Sequence, residues 1–124
     1  MSTLRARLGE AGEREAETYL IGQGLKLVDR NYRCRAGEID LVMLGRGEDE
    51  VEVLVFVEVR LRGAGAQVSA LESVDEHKQR RLILAARHFL MEHPDWNEHP
   101  CRFDVIALDT ASDRLRWVPD AFET

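Results

Sequence analysis

The chain has 124 residues, a formal net charge of −6, and 44% hydrophobic and 32% charged residues. This length and balance predict one globular domain, residues 1–124, with a single sizeable core. The negative charge counts against a general nucleic-acid binder, which needs a positive surface, although a metal-dependent nuclease also carries acids in its site. We expect no membrane association and a cytoplasmic location, because no apolar run could span a bilayer and residues 1–15 lack a signal-like apolar segment.

The first predicted element is a helix over residues 9–23. Glu13, Ala16 and Leu20 recur at helical spacing on one stripe, and Gly22 and Gly24 supply a stop signal. Because Glu13 lies on this stripe, it should lean toward whatever the helix packs against. An acid near the start of a helix also interacts favourably with the helix dipole, so Glu13 has a purely structural interpretation as well.

Three strands are predicted next, over residues 25–32, 39–44 and 51–60. The polar segment GRGEDE (45–50) between the second and third indicates a hairpin. The unbroken apolar run VLVFV (53–57) indicates a central strand that is covered on both faces. Residues 61–70 show no periodicity and contain small side chains, so we expect them to form the most mobile loop of the chain.

A second helix is predicted over residues 73–91, followed by strands over 101–108 and 115–118. Val74, Lys78, Leu82 and Phe89 fall on the apolar stripe of this helix, so the amine of Lys78 should emerge near the sheet. In the alternative interpretation, the methylene chain of Lys78 only covers the apolar core and the amine has no functional role. The order of elements predicts an α/β sandwich with a mixed sheet between helices.

Cys34 and Cys101 are the only cysteines, and they fit no CxxC metal spacing. In a reducing compartment both are expected to be free thiols.

Acids interrupt two of the apolar strands. Asp40 begins one strand of the hairpin and Glu58 ends the other, so their side chains should meet at the same edge of the sheet. Acids in apolar strands are costly to bury unless they are paired or hold a metal. Two carboxylates that converge beside Arg60 and Lys78 suit Mg²⁺ and a phosphodiester; the alternative is that the acids are solvated or paired with nearby arginines.

Other charged residues have two interpretations each. Arg33 and Arg35 form either a phosphate-contacting strip or a solvated strand face, and Glu38 is expected to orient one of them. Asp104 lies in the apolar run CRFDVIAL (101–108) and is either a partner of the site or a member of a structural ion pair.

The spacing of Asp40 and the Glu-x-basic pair at 58–60, together with the order of elements, resembles the PD-(D/E)XK nuclease superfamily. More closely, GEREAETYL (12–20), NYRCRAGEIDLV (31–42), VFVEVR (55–60), HKQRRLILAARHFL (77–90) and CRFDVIAL (101–108) resemble the YraN family of uncharacterised bacterial proteins. The resemblance covers nearly the whole chain. It implies a restriction-endonuclease-like αβββαβ fold with a mixed central sheet.

The resemblance also implies a site that binds Mg²⁺ or Mn²⁺. By position, Asp40 and Glu58 would be metal ligands beside the carbonyl of Val59, and Glu13 would complete the set. The superfamily lysine falls on Arg60, which can hold a phosphate but stays protonated and so cannot act as a general base. Lys78 is the candidate to take that role.

Three hypotheses follow. The first is a Mg²⁺-dependent endonuclease that hydrolyses phosphodiesters in DNA or structured nucleic acid, with Asp40, Glu58, Arg60 and Lys78 as the catalytic residues. Arg33, Arg35 and Arg62 would then contact the nucleic acid, and a homodimer is one expected assembly, since many superfamily nucleases act as dimers on two strands. The second is a catalytically inactive module of the same fold that binds nucleic acid or protein. The third is a structural protein whose acids are only salt-bridged.

Overall fold

The structure is a computed structural model that describes residues 4–63, 70–109, 112 and 114–123. Three α-helices and five strands occur in these residues, together with a single turn of 3₁₀ helix at Pro94–Trp96. The helices are α1 (Leu4–Gly22), α2 (Ala70–Ser73) and α3 (Glu76–Glu92). The strands are β1 (Lys26–Cys34), β2 (Gly37–Arg46), β3 (Glu52–Arg62), β4 (Cys101–Asp109) and β5 (Arg114–Phe122).

The five strands form one mixed sheet in the order β1-β2-β3-β4-β5. The chain folds as a meander from β1 to β3, crosses over through α3, and returns in β4 parallel to β3. Strand β5 closes the other edge antiparallel to β4. The central position of β3 agrees with its apolar run, in which the four residues from Leu54 to Val57 are at most 1% exposed.

A separate apolar core covers each face of the sheet. On one face, Leu82 and Phe89 of α3 pack with Phe56 of β3. On the other face, Ala16 and Leu20 of α1 belong to a second cluster, with residues of β2, β3 and β4. The predicted restriction-endonuclease-like αβββαβ sandwich is therefore confirmed. Its consequence for the site is that β2 and β3 can receive side chains from helices on both faces.

The boundaries of several elements differ from the predicted ones. Helix α3 begins three residues later than predicted, because Asp75 caps it by accepting a hydrogen bond from the backbone N–H of Lys78 at 2.9 Å. Strand β3 continues to Arg62, which is paired with Asp109 of β4, so the first two residues of the predicted mobile loop belong to the sheet. The rest of that prediction falls mainly on residues 64–69, which lie outside the described residues. Strand β5 is longer than the four residues predicted.

Two expectations about the chain as a whole can also be compared with the structure. Cys34 and Cys101 are both free, as predicted. Within the described part of the chain, none of the helices has the combination of length and apolar character that crossing a membrane requires.

Candidate active site

Asp40 of β2 and Glu58 of β3 lie at the point where the two strands separate. The ladder between β2 and β3 begins at the pair Leu41 and Val57, so the two acids occupy the adjacent, facing positions. One oxygen of Asp40, Oδ2, accepts a hydrogen bond from the backbone N–H of Val59 at 2.8 Å. The acids are 6% and 5% exposed. The predicted meeting of two acids at one edge of the hairpin is thus what the fold produces, and we call this pair the acid fork.

Burial raises the pKa of Asp40 and of Glu58 to about 7 in each case. The charge of Asp40 raises the pKa of Glu58 further, and Glu13 and Glu38 act on Asp40 in the same direction. The positive charge of Lys78 opposes these effects at both acids. Deprotonation of the two acids of the fork is therefore unfavourable, as expected for like charges in a poorly solvated position.

Glu13 reaches the acid fork from α1. Its side chain is half-buried, and burial raises its pKa; the charges of Glu38 and Glu58 add to that effect, whereas interaction with the side chain of Asp40 opposes it. Because α1 begins at Leu4, Glu13 lies in the middle of the helix, beyond the first turn in which the dipole acts. The charge of Glu13 acts instead on Asp40 of the fork.

Two cations contact the same oxygen of Glu58. Lys78 Nζ of α3 lies 3.5 Å from Glu58 Oε1, and Arg60 Nη1 lies 3.3 Å from it. Arg60 is also tied to the end of α2, because its Nε donates to Ser73 Oγ at 3.0 Å and its Nη2 to the Ser73 carbonyl at 3.5 Å. The guanidinium of Arg60 thus connects β3 to α2, whereas α3 brings the amine of Lys78 to the fork.

The donor set of the acid fork suits a hydrated divalent cation. Within residues 4–63, 70–109, 112 and 114–123, no group of three His, Cys, Asp or Glu side chains is arranged as a ready metal cage. Mg²⁺ does not require one, since it usually keeps several waters and binds through one or two carboxylates. A cation between Asp40 and Glu58 would also offset the repulsion that raises the pKa of Glu58.

The predicted nucleic-acid contacts are distributed unevenly around the fork. Arg33 Nε lies 3.2 Å from Glu38 Oε2, which confirms that Glu38 orients one of the two neighbouring arginines. Arg35 is exposed on the turn between β1 and β2, and Arg62 lies at the end of β3, two residues beyond Arg60. Their contact with nucleic acid remains a prediction.

Asp104 has a structural role. Arg102 holds it with two hydrogen bonds, from Nε at 3.0 Å and from Nη2 at 3.2 Å. The indole N–H of Trp117 donates to it at 2.9 Å and the backbone N–H of Asp120 at 3.0 Å. The interpretation of Asp104 as a member of a structural ion pair is the correct one, and its partners join β4 to β5.

Sequence reasoning missed a cleft beside the fork. Arg33, Lys78 and Arg81 line it together with Glu38, and its volume is about 340 Å³. No role was predicted for Arg81 from the sequence, although its helical spacing from Lys78 indicates that the two side chains are neighbours. Residues three apart on a helix share a side, so a stripe position for Lys78 places Arg81 next to it.

Comparison with known proteins supplies a family. A model of the family described as "Uncharacterised protein family UPF0102" matches residues 12–108, which include every residue of the acid fork. The chain is 50% identical over 120 residues to a UPF0102 protein of Pseudomonas putida strain GB-1, with 94% of each chain covered. It is 46% identical over 127 residues to one from Alcanivorax borkumensis strain SK2, with 98% of each covered.

Proposed function

The chain belongs to the uncharacterised protein family UPF0102, and we propose that it is a metal-dependent nuclease that hydrolyses phosphodiester bonds in DNA or structured nucleic acid. The observation that carries the proposal is the acid fork itself. Two facing carboxylates lie almost fully buried, and an amine from α3 lies 3.5 Å from one of their oxygens. Buried acids with raised pKa values beside a specific cation are typical of functional sites.

The alternative of acids that are only salt-bridged accounts less well for this arrangement. An acid that is buried for structural reasons usually meets enough donors to satisfy its charge. The positive charges of Lys78 and Arg60 lower the pKa of Glu58, but burial and Asp40 outweigh them and the pKa remains at about 7. A negative charge on Glu58 that Lys78 and Arg60 do not fully offset favours the binding of a further cation, such as a metal ion.

The roles of the side chains follow from their positions. Asp40 and Glu58 would hold Mg²⁺ or Mn²⁺ together with waters, and Glu13, whose charge acts on Asp40, would complete the set. When bound, such an ion polarises the phosphate and lowers the pKa of a coordinated water. Lys78, which lies 3.5 Å from Glu58, would stabilise the charge that develops on the phosphate, and Arg60, which contacts Ser73, would position Glu58. In the overall reaction, the water oxygen bonds to phosphorus and gives up one proton, the bond from phosphorus to the leaving ester oxygen breaks, and that leaving oxygen takes up one proton.

The test is a cleavage assay on single-stranded, duplex and branched DNA with Mg²⁺ or Mn²⁺. We expect metal-dependent cutting that falls about 10³-fold or more in Asp40→Asn and in Glu58→Gln. Glu50→Gln is the matched control, since Glu50 is an exposed acid at the far end of the hairpin. Cleavage that survives both substitutions at the fork would contradict the proposal.

A second candidate is the inactive nucleic-acid-binding module. It is favoured by one observation, which is that the residue at the superfamily lysine position is Arg60 and that its guanidinium is engaged with Ser73. The same assay separates the two candidates. Binding without any metal-dependent cutting by the unmodified protein would establish the module and exclude the enzyme.

A further inference from the structure

The cleft beside the acid fork reverses the sign of the chain's charge. Among the described residues, Arg33, Lys78 and Arg81 line it together with one acid, Glu38, in a chain whose net charge is −6. A local concentration of positive charge in a concave surface attracts an anion and focuses the field on it. The cleft therefore suits an anionic group, in contrast to the protein as a whole.

Arg81 is held in place at the wall of this cleft. Its Nε donates to the carbonyl of Ala36 at 3.1 Å, which orients the guanidinium over the turn between β1 and β2. The Arg81 side chain lies against Gly37, where a Cβ would be in ordinary van der Waals contact with Arg81 Nε at 3.5 Å. Since the bond to Ala36 uses Nε, the two terminal nitrogens can donate to a ligand. A guanidinium oriented in this way binds phosphate oxygens with little further ordering.

Arg33 is available to a ligand because its partner is easily exchanged. The side chains of Arg33 and Glu38 are 76% and 48% exposed, and their charged groups are 3.2 Å apart. Exposed ion pairs of this kind are weak. A phosphate entering the cleft can take the place of Glu38 at Arg33 without leaving a buried charge behind.

Lys78 connects the cleft to the acid fork. It lines the cleft, and its Nζ also lies 3.5 Å from Glu58 Oε1. A ligand in the cleft is thus adjacent to the group that the proposed nuclease would use on the scissile phosphate. The half-buried thiol of Cys34 and the side chain of Leu82 supply an apolar wall. The volume of about 340 Å³ is that of a small-ligand site.

From these contacts we infer that the cleft binds the nucleotide next to the scissile phosphate, with its phosphate on Arg81 and Arg33. This inference rests on the proposed function for the identity of the neighbouring reaction. It adds a subsite and two phosphate-binding residues. It also predicts that the cleft contributes to binding whether or not a metal is present.

The first test measures binding of a labelled single-stranded DNA oligonucleotide in EDTA, where no metal-dependent cleavage occurs. We expect Arg81→Gln to weaken binding about tenfold and to lower the slope of log affinity against log salt by about 0.7, the value for one lost phosphate contact. Arg33→Gln should add to this loss. Arg46→Gln is the matched control, because Arg46 forms a comparable exposed ion pair with Glu50 at the other end of β2.

Two oligonucleotides identify the source of the phosphate. One carries a 5′-phosphate and the other a 5′-hydroxyl. If Arg81→Gln weakens binding only of the first, the cleft holds a strand end; if it weakens both equally, the cleft holds an internal phosphate. Either result supports the inference. Affinities for both oligonucleotides within twofold of the unmodified protein in Arg81→Gln and in the double variant would overturn it, and so would an equal loss in Arg46→Gln.

A second test uses the two free thiols as reporters. Alkylation of Cys34 should slow several-fold at saturating DNA in EDTA, while alkylation of Cys101, which lies in β4 next to the start of β3, should not change. Unprotected Cys34 at saturation would overturn the inference. These measurements do not depend on cleavage. A cleft that binds in a protein that never cuts would refute the proposed function alone, whereas a protein that cuts with a cleft that does not bind would refute this inference alone.

Discussion

Two regions of the sheet each bury an aspartate, and they differ in how many hydrogen-bond donors they supply to its carboxylate. At the β4–β5 side, Asp104 receives four hydrogen bonds from Arg102, Trp117 and the backbone of Asp120, two at each oxygen. At the acid fork, Asp40 accepts one hydrogen bond, from the backbone N–H of Val59, and the negative charge of Glu13 raises its pKa. Burial alone therefore does not reveal function. The difference lies in whether the surroundings satisfy the negative charge or oppose it.

Replacement of aspartate by asparagine should lower the free energy of unfolding at Asp104 and raise it at Asp40. The larger change is expected at Asp104. Asp104→Asn removes the charge that faces Arg102, and either orientation of the amide points its NH₂ group at two donors. We expect the free energy of unfolding in urea to fall by about 3 kcal/mol or more. Asp95→Asn, at an exposed aspartate, should stay within about 0.5 kcal/mol. A loss of similar size in both variants would contradict the structural role.

Asp40→Asn should stabilise the protein at pH 8. The pKa of Asp40 is raised to about 7 in the folded state, so the folded protein binds a proton that the unfolded chain has already lost above about pH 4. The contribution of this carboxyl to stability is thus complete below about pH 4 and is lost as the pH rises through 7. An amide keeps the acceptor for Val59 without the charge.

We therefore expect a gain of about 2 kcal/mol in the unfolding free energy of Asp40→Asn at pH 8 and little change at pH 4, measured by urea titration at both pH values. Asp104→Asn at the same two pH values serves as the comparison. A variant that is less stable than the unmodified protein at pH 8 would show that Asp40, like Asp104, is a satisfied acid.

Addition of Mg²⁺ or Mn²⁺ should stabilise the unmodified protein through the acid fork. At a free ion concentration about tenfold above the dissociation constant, the gain is about 1.4 kcal/mol, or roughly 5 °C in Tm for a domain of this size. The gain should be smaller at pH 5, because the carboxylates must be deprotonated to bind. It should disappear in the double variant Asp40→Asn, Glu58→Gln. An equal shift in that variant would place the ion elsewhere.

The smallest expected effect concerns Lys78. Its charge lowers the pKa of both acids of the fork, so Lys78→Gln should raise both pKa values, which carboxyl NMR titrations can measure. Lys26→Gln is the matched control, because Lys26 is exposed and pairs with Leu44 at the far end of the sheet. Unchanged titrations in Lys78→Gln would mean that the amine does not act on the fork in solution.

Much of the fold could be predicted from local patterns. The apolar run from Val53 to Val57 indicated a covered central strand, and the polar segment before it indicated a hairpin. Both follow from periods and turn residues that are readable within ten residues. The exact ends could not be read in this way, because they depend on partners far along the chain. Arg62 belongs to β3 since it pairs with Asp109, and α3 starts after Asp75 because that side chain caps it.

The candidate site was predictable only in part. The facing positions of Asp40 and Glu58 follow from the antiparallel geometry of a hairpin, and the family resemblance pointed to the same acids. The assignment of Asp104 did not follow, because its donors come from a bulged region of β4 and β5 whose register the sequence does not reveal. The engagement of Arg60 with Ser73, thirteen residues later, was equally invisible.

The sequence by itself determined the order of the strands and of the two long helices, the family, and the acids that must be explained, since apolar periodicity and the position of charged residues within it are local properties. The tertiary structure decided which of those acids is satisfied and which is not. It brought Glu13 and Lys78 to the fork from opposite faces of the sheet, gave Arg60 a partner in α2, and placed Arg81 over Gly37 beside the cleft. The physical reason is that the free energy of a buried charge depends on every donor and charge around it, and those groups come from segments distant in the chain.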